Sequence, residues 1–299
     1  MAEQQTPFKS GFVSIVGRPN VGKSTLLNAL IGEKVAIVSP KPQTTRNQII
    51  GIHNGPHHQV VFVDTPGIHQ PRTRLGEFMD KTVRDALTAI DALIIIADAS
   101  REDDQEEAAI RGLDRRGTPT FLVLNKIDLI QPHTLLPLIA RYAEDGFEAI
   151  LPISAKTGDG LPKLMDSVLA VLQEGPRYYP SDQFTPQTER QIIAELIREQ
   201  ALYLLEEELP HGIGVEVLEM KELRPDLTEI YADIYCERAS HKGMVIGKQG
   251  SMLGKIGSRA RAQIEALLGT QVALKLWVKV KPGWRNSAMD LKNLGYVEQ

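Results

Sequence analysis

The sequence predicts two domains: a doubly wound α/β domain with a mostly parallel sheet, then a smaller α+β module. Three observations carry that prediction. Strand-length apolar runs alternate with helical patterns as far as about residue 173. A proline-rich stretch, Gly175-Pro-Arg-Tyr-Tyr-Pro-Ser-Asp-Gln-Phe-Thr-Pro186, then breaks both periods. Beyond it the order becomes helix, strand, strand, glycine-rich turn, helix, strand. The expected boundaries are one domain over 1–175, a semi-rigid linker over 176–187 and a second domain over 188–299.

The first strand, Gly11–Val16, leads into Gly17-Arg18-Pro19-Asn20-Val21-Gly22-Lys23-Ser24, a full match to GxxxxGK[ST]. An apolar-periodic helix, Lys23–Ile31, leads out through Thr25. Strand, loop and helix agree, so the ligand is a nucleoside triphosphate. Such a loop turns backbone N–H groups toward the β-phosphate, and the helix N-terminus adds its positive end. Lys23 is placed to reach the β- and γ-phosphates, and the Ser24 hydroxyl to ligate Mg²⁺.

The next strand, Val60–Asp64, ends in Asp64-Thr65-Pro66-Gly67, a segment assigned whole to the nucleotide site. Asp64 is read as holding Mg²⁺ and the Gly67 N–H as contacting the γ-phosphate. Before that strand lies Pro42-Gln43-Thr44-Thr45-Arg46, where a threonine hydroxyl can complete the Mg²⁺ shell. Thr45 is favoured, although spacing leaves Thr44 open. Loss of γ-phosphate contacts releases both segments, which makes them order–disorder switches. The apolar run Ala92–Ala97 is short and bracketed by Asp91 and Asp98, so it is a core strand rather than a membrane span.

Two further strands place the base-reading groups. Thr120–Asn125 ends in Asn125-Lys126-Ile127-Asp128. The Asp128 carboxylate can accept from guanine N1–H and N2–H₂, a donor pair that adenine lacks. Asn125 is expected to brace the loops and Lys126 to lay its stem over the purine. Ala149–Ser154 ends in Ser154-Ala155-Lys156, which offers backbone N–H groups to guanine O6.

Together these motifs resemble the translation-factor-related small GTPases over the whole first domain. One departure matters. Where related enzymes place a water-orienting glutamine after the DxxG glycine, this chain has Ile68. A hydrocarbon cannot orient water, so charge or positioning must come from elsewhere. Asn20 has two readings: it helps hold K⁺ near the β- and γ-phosphates, as the resemblance implies, or it merely tolerates a left-handed turn. Lys23, Asn20, Thr45 and Gly67 are the catalytic candidates, and isolated turnover is expected to be slow.

The second domain carries Ile246-Gly247-Lys248-Gln249-Gly250 between a short helical stretch and the helix Met252–Leu268. Uncovered glycine N–H groups let a nucleic-acid backbone approach. From Arg238 to Lys292 the chain has eleven Lys or Arg, opposed by Glu265 and Asp290 alone, within a chain of net charge −4. That local excess points to an anionic partner. Lys242, Lys248, Lys255, Arg259 and Arg261 are the phosphate-neutralising candidates, with Ile246 as groove floor. The order of elements resembles a type II KH domain. Trp277 and Trp284 are expected to pack in or near the core.

Other chemistry is thin. A single Cys236 excludes a disulfide framework, and the His residues lack ligand spacing. His57-His58 is expected to be solvated. The polar N-terminus and the lack of a long apolar run predict neither signal peptide nor membrane span.

The phosphate loop, Gln43-Thr44-Thr45-Arg46, the proline-rich linker and the KH-like module together resemble the bacterial Era family of GTPases, along nearly the whole chain. The resemblance implies a cytoplasmic, monomeric RNA-binding GTPase that binds 16S rRNA near its 3′ end and assists assembly of the 30S subunit. It also implies peripheral association with the inner membrane. Two other classes compete with this expectation. A tRNA-modification GTPase should carry a second catalytic constellation, for which Cys236 in a strand is a poor candidate. A membrane-surface GTPase should carry a basic amphipathic helix.

Overall fold

The computed structural model describes residues 7–41, 44–67, 73–101, 103–115, 117–206 and 209–296. Pro42, Gln43, Ile68, Glu207 and Glu208 lie outside the described residues. The described chain divides into two compact units, one drawn from 1–36, 45–69 and 80–186, the other from 37–44, 70–79 and 187–299.

In the first unit β1 (Lys9–Val16), β2 (Ile49–Gly55), β3 (His58–Asp64), β4 (Ala92–Asp98), β5 (Thr120–Asn125) and β6 (Ala149–Pro152) form one sheet. The strand order is β2-β3-β1-β4-β5-β6. All neighbours run parallel except β2, which pairs antiparallel with β3. Helices α1 (Lys23–Ile31), α3 (Asp104–Arg111), α4 (Leu135–Tyr142) and α5 (Leu161–Val171) cover the faces; α2 spans Arg74–Asp85. Successive strand side chains point to opposite faces. Accordingly Ile94 and Ile96 pack with Leu26, Leu27 and Leu164 on one side, while Leu93, Ile95 and Ala97 pack with Ile110 and Tyr142 on the other.

The proline-rich stretch, expected as a semi-rigid linker, is tied to the first unit. It lies against β2 and β3 of the first unit as far as Pro186. The buried Gln59 accepts the N–H groups of Tyr178 and Tyr179 at 2.7 and 2.9 Å. Further along, the Ile52 N–H donates to Phe184 O at 2.8 Å, and Thr185 Oγ1 donates to Ile50 O at 2.7 Å. An open edge strand supplies unpaired backbone groups, and the strap satisfies them. His58 also departs from expectation. Its ring stacks on His53 with centroids 5.2 Å apart, and burial pulls both imidazole pKa values down.

The second unit is a three-stranded sheet of order β7-β8-β9, built from β7 (Gly214–Arg224), β8 (Leu227–Cys236) and β9 (Gln271–Val280). β7 and β8 are antiparallel, β8 and β9 parallel. Helices α6 (Glu189–Leu204), α7 (Ala239–Ile246) and α8 (Ser251–Leu268) share an apolar core with the sheet through Ile193, Ile197, Ile230, Ile234, Ile256 and Ile264. Thr188 starts α6 with a reciprocal capping box to Gln191. Cys236 is buried in β8. Trp284 is fully buried and donates from Nε1 to Gly212 O at 3.0 Å. Trp277 stacks on Tyr231 and is 45 % exposed.

The segment Ile37–Thr44 belongs to this unit, bonded to side chains of α6. So does the start of α2, whose Leu75 and Met79 pack with Trp284, Leu291 and Tyr296. A boundary drawn at one linker therefore misses two segments that packing assigns elsewhere. Among the described residues no helix is long and apolar enough to cross a membrane.

Candidate functional site

The phosphate loop joins β1 to α1 at the carboxyl edge of the parallel strands, where ligands of such sheets bind. Its path depends on two residues in left-handed conformation, Asn20 (φ 67°) and Gly22 (φ 107°). A Cβ on Gly22 would fall 2.3 Å from Asn125 Nδ2. Lys23 is buried and donates from Nζ to the carbonyls of Gly17 and Arg18, both at 3.0 Å. Burial lowers its pKa, against the opposing pull of Asp64 and Glu106. The ammonium is thus held inside the loop by neutral carbonyls that phosphate oxygens can displace.

Three hydroxyl and carboxylate side chains converge beside α1. Ser24 Oγ donates to Asp64 Oδ2 at 2.7 Å. Thr45 Oγ1 lies 2.9 Å from Ser24 Oγ and 3.4 Å from Asp64 Oδ2. Thr44 points elsewhere, donating to Lys41 O at 2.6 Å. The geometry therefore separates the two threonines that spacing left open. Asp64 is fully buried, and its Oδ1 has no hydrogen-bond partner. Burial pushes its carboxyl up to about 6, although Lys23 pulls the other way. A buried, half-satisfied carboxylate beside two hydroxyls is an all-oxygen donor set that suits Mg²⁺. Ser24, Thr45 and Asp64 are the residues that can hold it. Thr65 plays a different part, donating from Oγ1 to Ile15 O at 3.1 Å and so tying the Asp64–Gly67 turn to β1. Gly67 packs so closely on Pro19 that a Cβ would meet its ring at 2.8 Å.

The loops after β5 and β6 are tied to the phosphate loop by the Asn125 amide and the Lys126 ammonium. Asn125 donates from Nδ2 to Val21 O at 2.8 Å and accepts the Ala155 N–H on Oδ1 at 2.9 Å. Ser154 Oγ donates to Asp128 Oδ1 at 2.7 Å, which orients the exposed carboxylate. Lys156 is exposed beside it. Lys126, left-handed at φ 69°, donates from Nζ to Asp98 Oδ2 at 2.6 Å and to Asn20 O at 2.8 Å.

Two acids in this region were invisible to motif reading. Asp98 ends β4 and anchors Lys126. Glu106 on α3 is buried, accepts the Asp98 N–H at 3.3 Å, and has a carboxyl pushed up to about 7, chiefly by burial. The one signal available was position, since Asp98 closes a strand at the edge where every motif sits.

In the second unit a groove is lined by Gly250, Leu253, Gly254, Gly257, Ser258, Arg261, Leu274 and Leu276. Gly247 (φ 75°) and Gly250 (φ 80°) bracket Lys248 and Gln249, both exposed, with Gln249 itself left-handed. Gly254 and Gly257 share one face of α8, three residues apart, and Gly250 immediately precedes the helix. A Cβ on Gly250 or Gly254 would meet nothing within 4 Å, so these glycines hold the groove open. Sequence reasoning took in Gly250 and missed the other two, though glycine at helical spacing was the available signal. Three other candidates stand outside this lining. Ile246 packs against the core and does not line the groove. Lys255 and Arg259 are exposed but stand about 100° and 140° around α8 from Gly254, at 100° per residue. Arg261 lines the groove; Lys242 is exposed on α7.

Residues 12–126 match the family model described as 50S ribosome-binding GTPase, and residues 208–285 match that of the KH domain. The protein named GTPase Era from Ruminiclostridium cellulolyticum is 50 % identical, over 97 % of this chain and 98 % of its own. Its namesake from Alkaliphilus metalliredigens is 48 % identical over 97 % and 99 %. The chain belongs to the Era family of GTPases. A crystal structure of Era in complex with MgGDPNP and nucleotides 1506–1542 of 16S ribosomal RNA superposes with a TM-score of 0.93. It shares 39 % identity over 97 % of this chain and 100 % of that one. Aquifex aeolicus Era bound to GDP·AlF4⁻ superposes equally well at 38 % identity.

As an Era-family GTPase the chain transfers a phosphoryl group from GTP to water, which calls chiefly for positioning and charge stabilisation. Bound Mg²⁺ supplies positive charge to the phosphate oxygens. The loop from Gly17 to Thr25 can present its N–H groups to the phosphates, and Lys23 holds its ammonium within the loop where phosphate oxygens can reach it. Asn125, Ser154 and Asp128 are tied together by these hydrogen bonds, an arrangement that can hold a base and let its binding energy orient the reacting end.

Proposed function

We propose that this GTPase is a switch on ribosomal RNA, binding the 3′ end of 16S rRNA and assisting assembly of the 30S subunit. One observation carries the reading. A relative matched along 97 % of this chain was solved with a GTP analogue and that RNA segment together. This chain has the corresponding equipment, a triphosphate loop in one unit and a glycine-lined groove with exposed Lys248 in the other. The test is binding of an RNA oligonucleotide of that 3′ segment against a scrambled one, with GTP analogue and with GDP. The double variant Lys248→Asp, Gln249→Asp should lose the RNA and keep GTP turnover. Undiminished RNA affinity in that variant removes the groove from the proposal.

K⁺ is proposed as a second ion of the reaction, held with the help of Asn20. The residue is exposed in the phosphate loop, where a side-chain amide oxygen can serve as a ligand to a monovalent cation. Turnover should be faster in K⁺ than in Na⁺, and Asn20→Ala should abolish the difference. Equal rates in the two salts would leave Asn20 as a turn residue.

A further inference from the structure

We propose that Glu106 is a positioning residue of the nucleotide site, holding Asp98 and Lys126 in place and tying both to the phosphate loop. The inference rests on reading Asn125–Asp128 as the base-reading loop, and every group it uses lies in the first unit. It starts from a gap in the sheet. At the end of β4 the Ala99 N–H donates to Asn125 O at 2.9 Å, on the β5 side. Neighbouring residues of a strand bond to opposite sides, so the Asp98 N–H faces the β1 side. β1 offers nothing there: its pairing with β4 ends at Val16 and Ile95, because the chain then leaves the sheet to become the phosphate loop. Asp98 is 7 % exposed, and a buried N–H needs an acceptor. Glu106 supplies it, its Oε2 accepting at 3.3 Å. The same side chain lines a small hollow with Val16, Gly17, Arg18, Ile96 and Ile110, which puts it beneath the first residues of the loop.

Two arms run from Glu106 to the loop. In the first, Asp98 Oδ1 accepts the Ser100 N–H and hydroxyl at 3.0 and 2.6 Å, which leaves Oδ2 for Lys126 Nζ at 2.6 Å. That ammonium also donates to Asn20 O at 2.8 Å. In the second arm Asp103 caps α3, its Oδ1 accepting the Gln105 and Glu106 N–H groups at 2.9 and 3.2 Å. Its Oδ2 pairs with the Arg18 guanidinium, which also donates to Gln105 Oε1 at 3.2 Å. The loop is thus gripped at Arg18 and at Asn20, on either side of Pro19. Arg18 and Asp103 are 29 % and 41 % exposed, and a solvated pair contributes little alone. The two arms meet at the buried Glu106.

Glu106 acts here as an acceptor rather than as a charge. Burial pushes its carboxyl up to about 7, and the protonated form still has an oxygen for the Asp98 N–H. An amide of the same length therefore preserves the contact, and a hydrocarbon loses it. Holding Asp98 and Lys126 before the nucleotide arrives spares binding the entropy of ordering them. The base end is common to GDP and GTP, so both profit alike.

The test titrates the full chain with fluorescent GDP and a fluorescent non-hydrolysable GTP analogue, beside a thermal melt of each variant. Glu106→Met should weaken both nucleotides about fivefold, the effect of one lost hydrogen bond. Glu106→Asp keeps the carboxylate but falls one methylene short of the Asp98 N–H, and it should weaken them as well. Glu106→Gln should bind both like the parent although its melt shifts, whereas a merely structural role would make affinity follow the melt. Adding Glu106→Met to Asp98→Asn should cost little more than Asp98→Asn alone, since both act through one chain of contacts. Parental affinity in Glu106→Met, an equal loss in Glu106→Gln, or full additivity with Asp98→Asn overturns the positioning role. A Lys126→Met protein with parental affinity for both nucleotides instead overturns the reading of the base loop, and the inference with it.

Discussion

Lys126 and Asp98 form a salt bridge of 2.6 Å between β4 and the base-reading loop, with Lys126 26 % and Asp98 7 % exposed. Burial pushes the Asp98 carboxyl up, but hydrogen bonds from Lys126 and Ser100 outweigh it and hold the carboxyl below its usual range. The pair fixes the stem that is expected to cover the purine. Asp98→Asn should therefore weaken GDP and GTP alike, by about 1–2 kcal/mol for the loss of a charge-assisted bond at a partly exposed lysine. Fluorescent nucleotide titration checks it, and a loss confined to GTP would contradict it.

Glu106 supplies a pH dependence whose sign follows from burial. Its carboxyl titrates from an ordinary 4.5 when unfolded and near about 7 when folded. Between those values the folded chain keeps a proton that the unfolded chain has lost. Its contribution to stability therefore declines as pH rises through the window, and the penalty is complete above about 7. Glu106→Gln removes it. The variant should be more stable than the parent by about 1–2 kcal/mol at pH 8, with the gap closing toward pH 5, as paired thermal melts at the two values would reveal.

The groove separates stability from binding at Gly254. An added Cβ meets nothing within 4 Å, and the residue lies inside α8. Gly254→Ala should raise stability by about 0.5–1 kcal/mol, the usual gain from replacing glycine within a helix. It should weaken RNA, because the methyl fills space that the backbone of the nucleic acid requires. A variant that melts higher and still binds RNA normally would remove α8 from the interface.

Arg261 and Lys255 make the charge argument specific. Both are exposed on α8, yet only Arg261 lines the groove. Arg261→Ala should reduce the slope of log affinity against log salt by about 0.7, the value for one phosphate of a single strand. Lys255→Ala should leave the slope nearly unchanged. Equal slopes for the two variants would mean that RNA does not follow the groove.

What the sequence made legible and what it hid have different physical origins. The phosphate loop, Asp64, Asn125 and Asp128 could be singled out because each belongs to a short contiguous motif that follows a strand end. Asp98 and Arg198 could not, since each acquires its role from a partner remote in sequence, and Glu106 could not because its partner, the Asp98 N–H, is met only through the fold. β2 was missed for a related reason: Ile-Ile-Gly-Ile-His-Asn-Gly has no period of its own, and it is ordered by pairing with β3. α6 did carry a signal that went unread. Arg198-Glu199-Gln200 breaks the apolar face of a helix that buries all three residues. Polar groups at buried positions announce a tertiary partner before that partner is known.

Gln59 gives the most local test of the strap along β2. Its side chain is fully buried in β3, and all four of its amide hydrogen bonds are made. Oε1 accepts from the Tyr178 and Tyr179 N–H groups, and Nε2 donates to Asn54 Oδ1 at 2.7 Å and Tyr179 O at 2.9 Å. Gln59→Leu conserves bulk but leaves the two backbone N–H groups without an acceptor. Desolvated orphans cost about 1–3 kcal/mol each, which the chain avoids by letting the strap leave the sheet. Hydrogen exchange at Tyr178 and Tyr179 should accelerate by about tenfold or more, and proteases should cut between Gly175 and Pro186. Because the nucleotide loops draw nothing from Gln59, GDP affinity should be retained. Protection of Tyr178 and Tyr179 equal to that of the parent would mean that the prolines alone hold the strap in place.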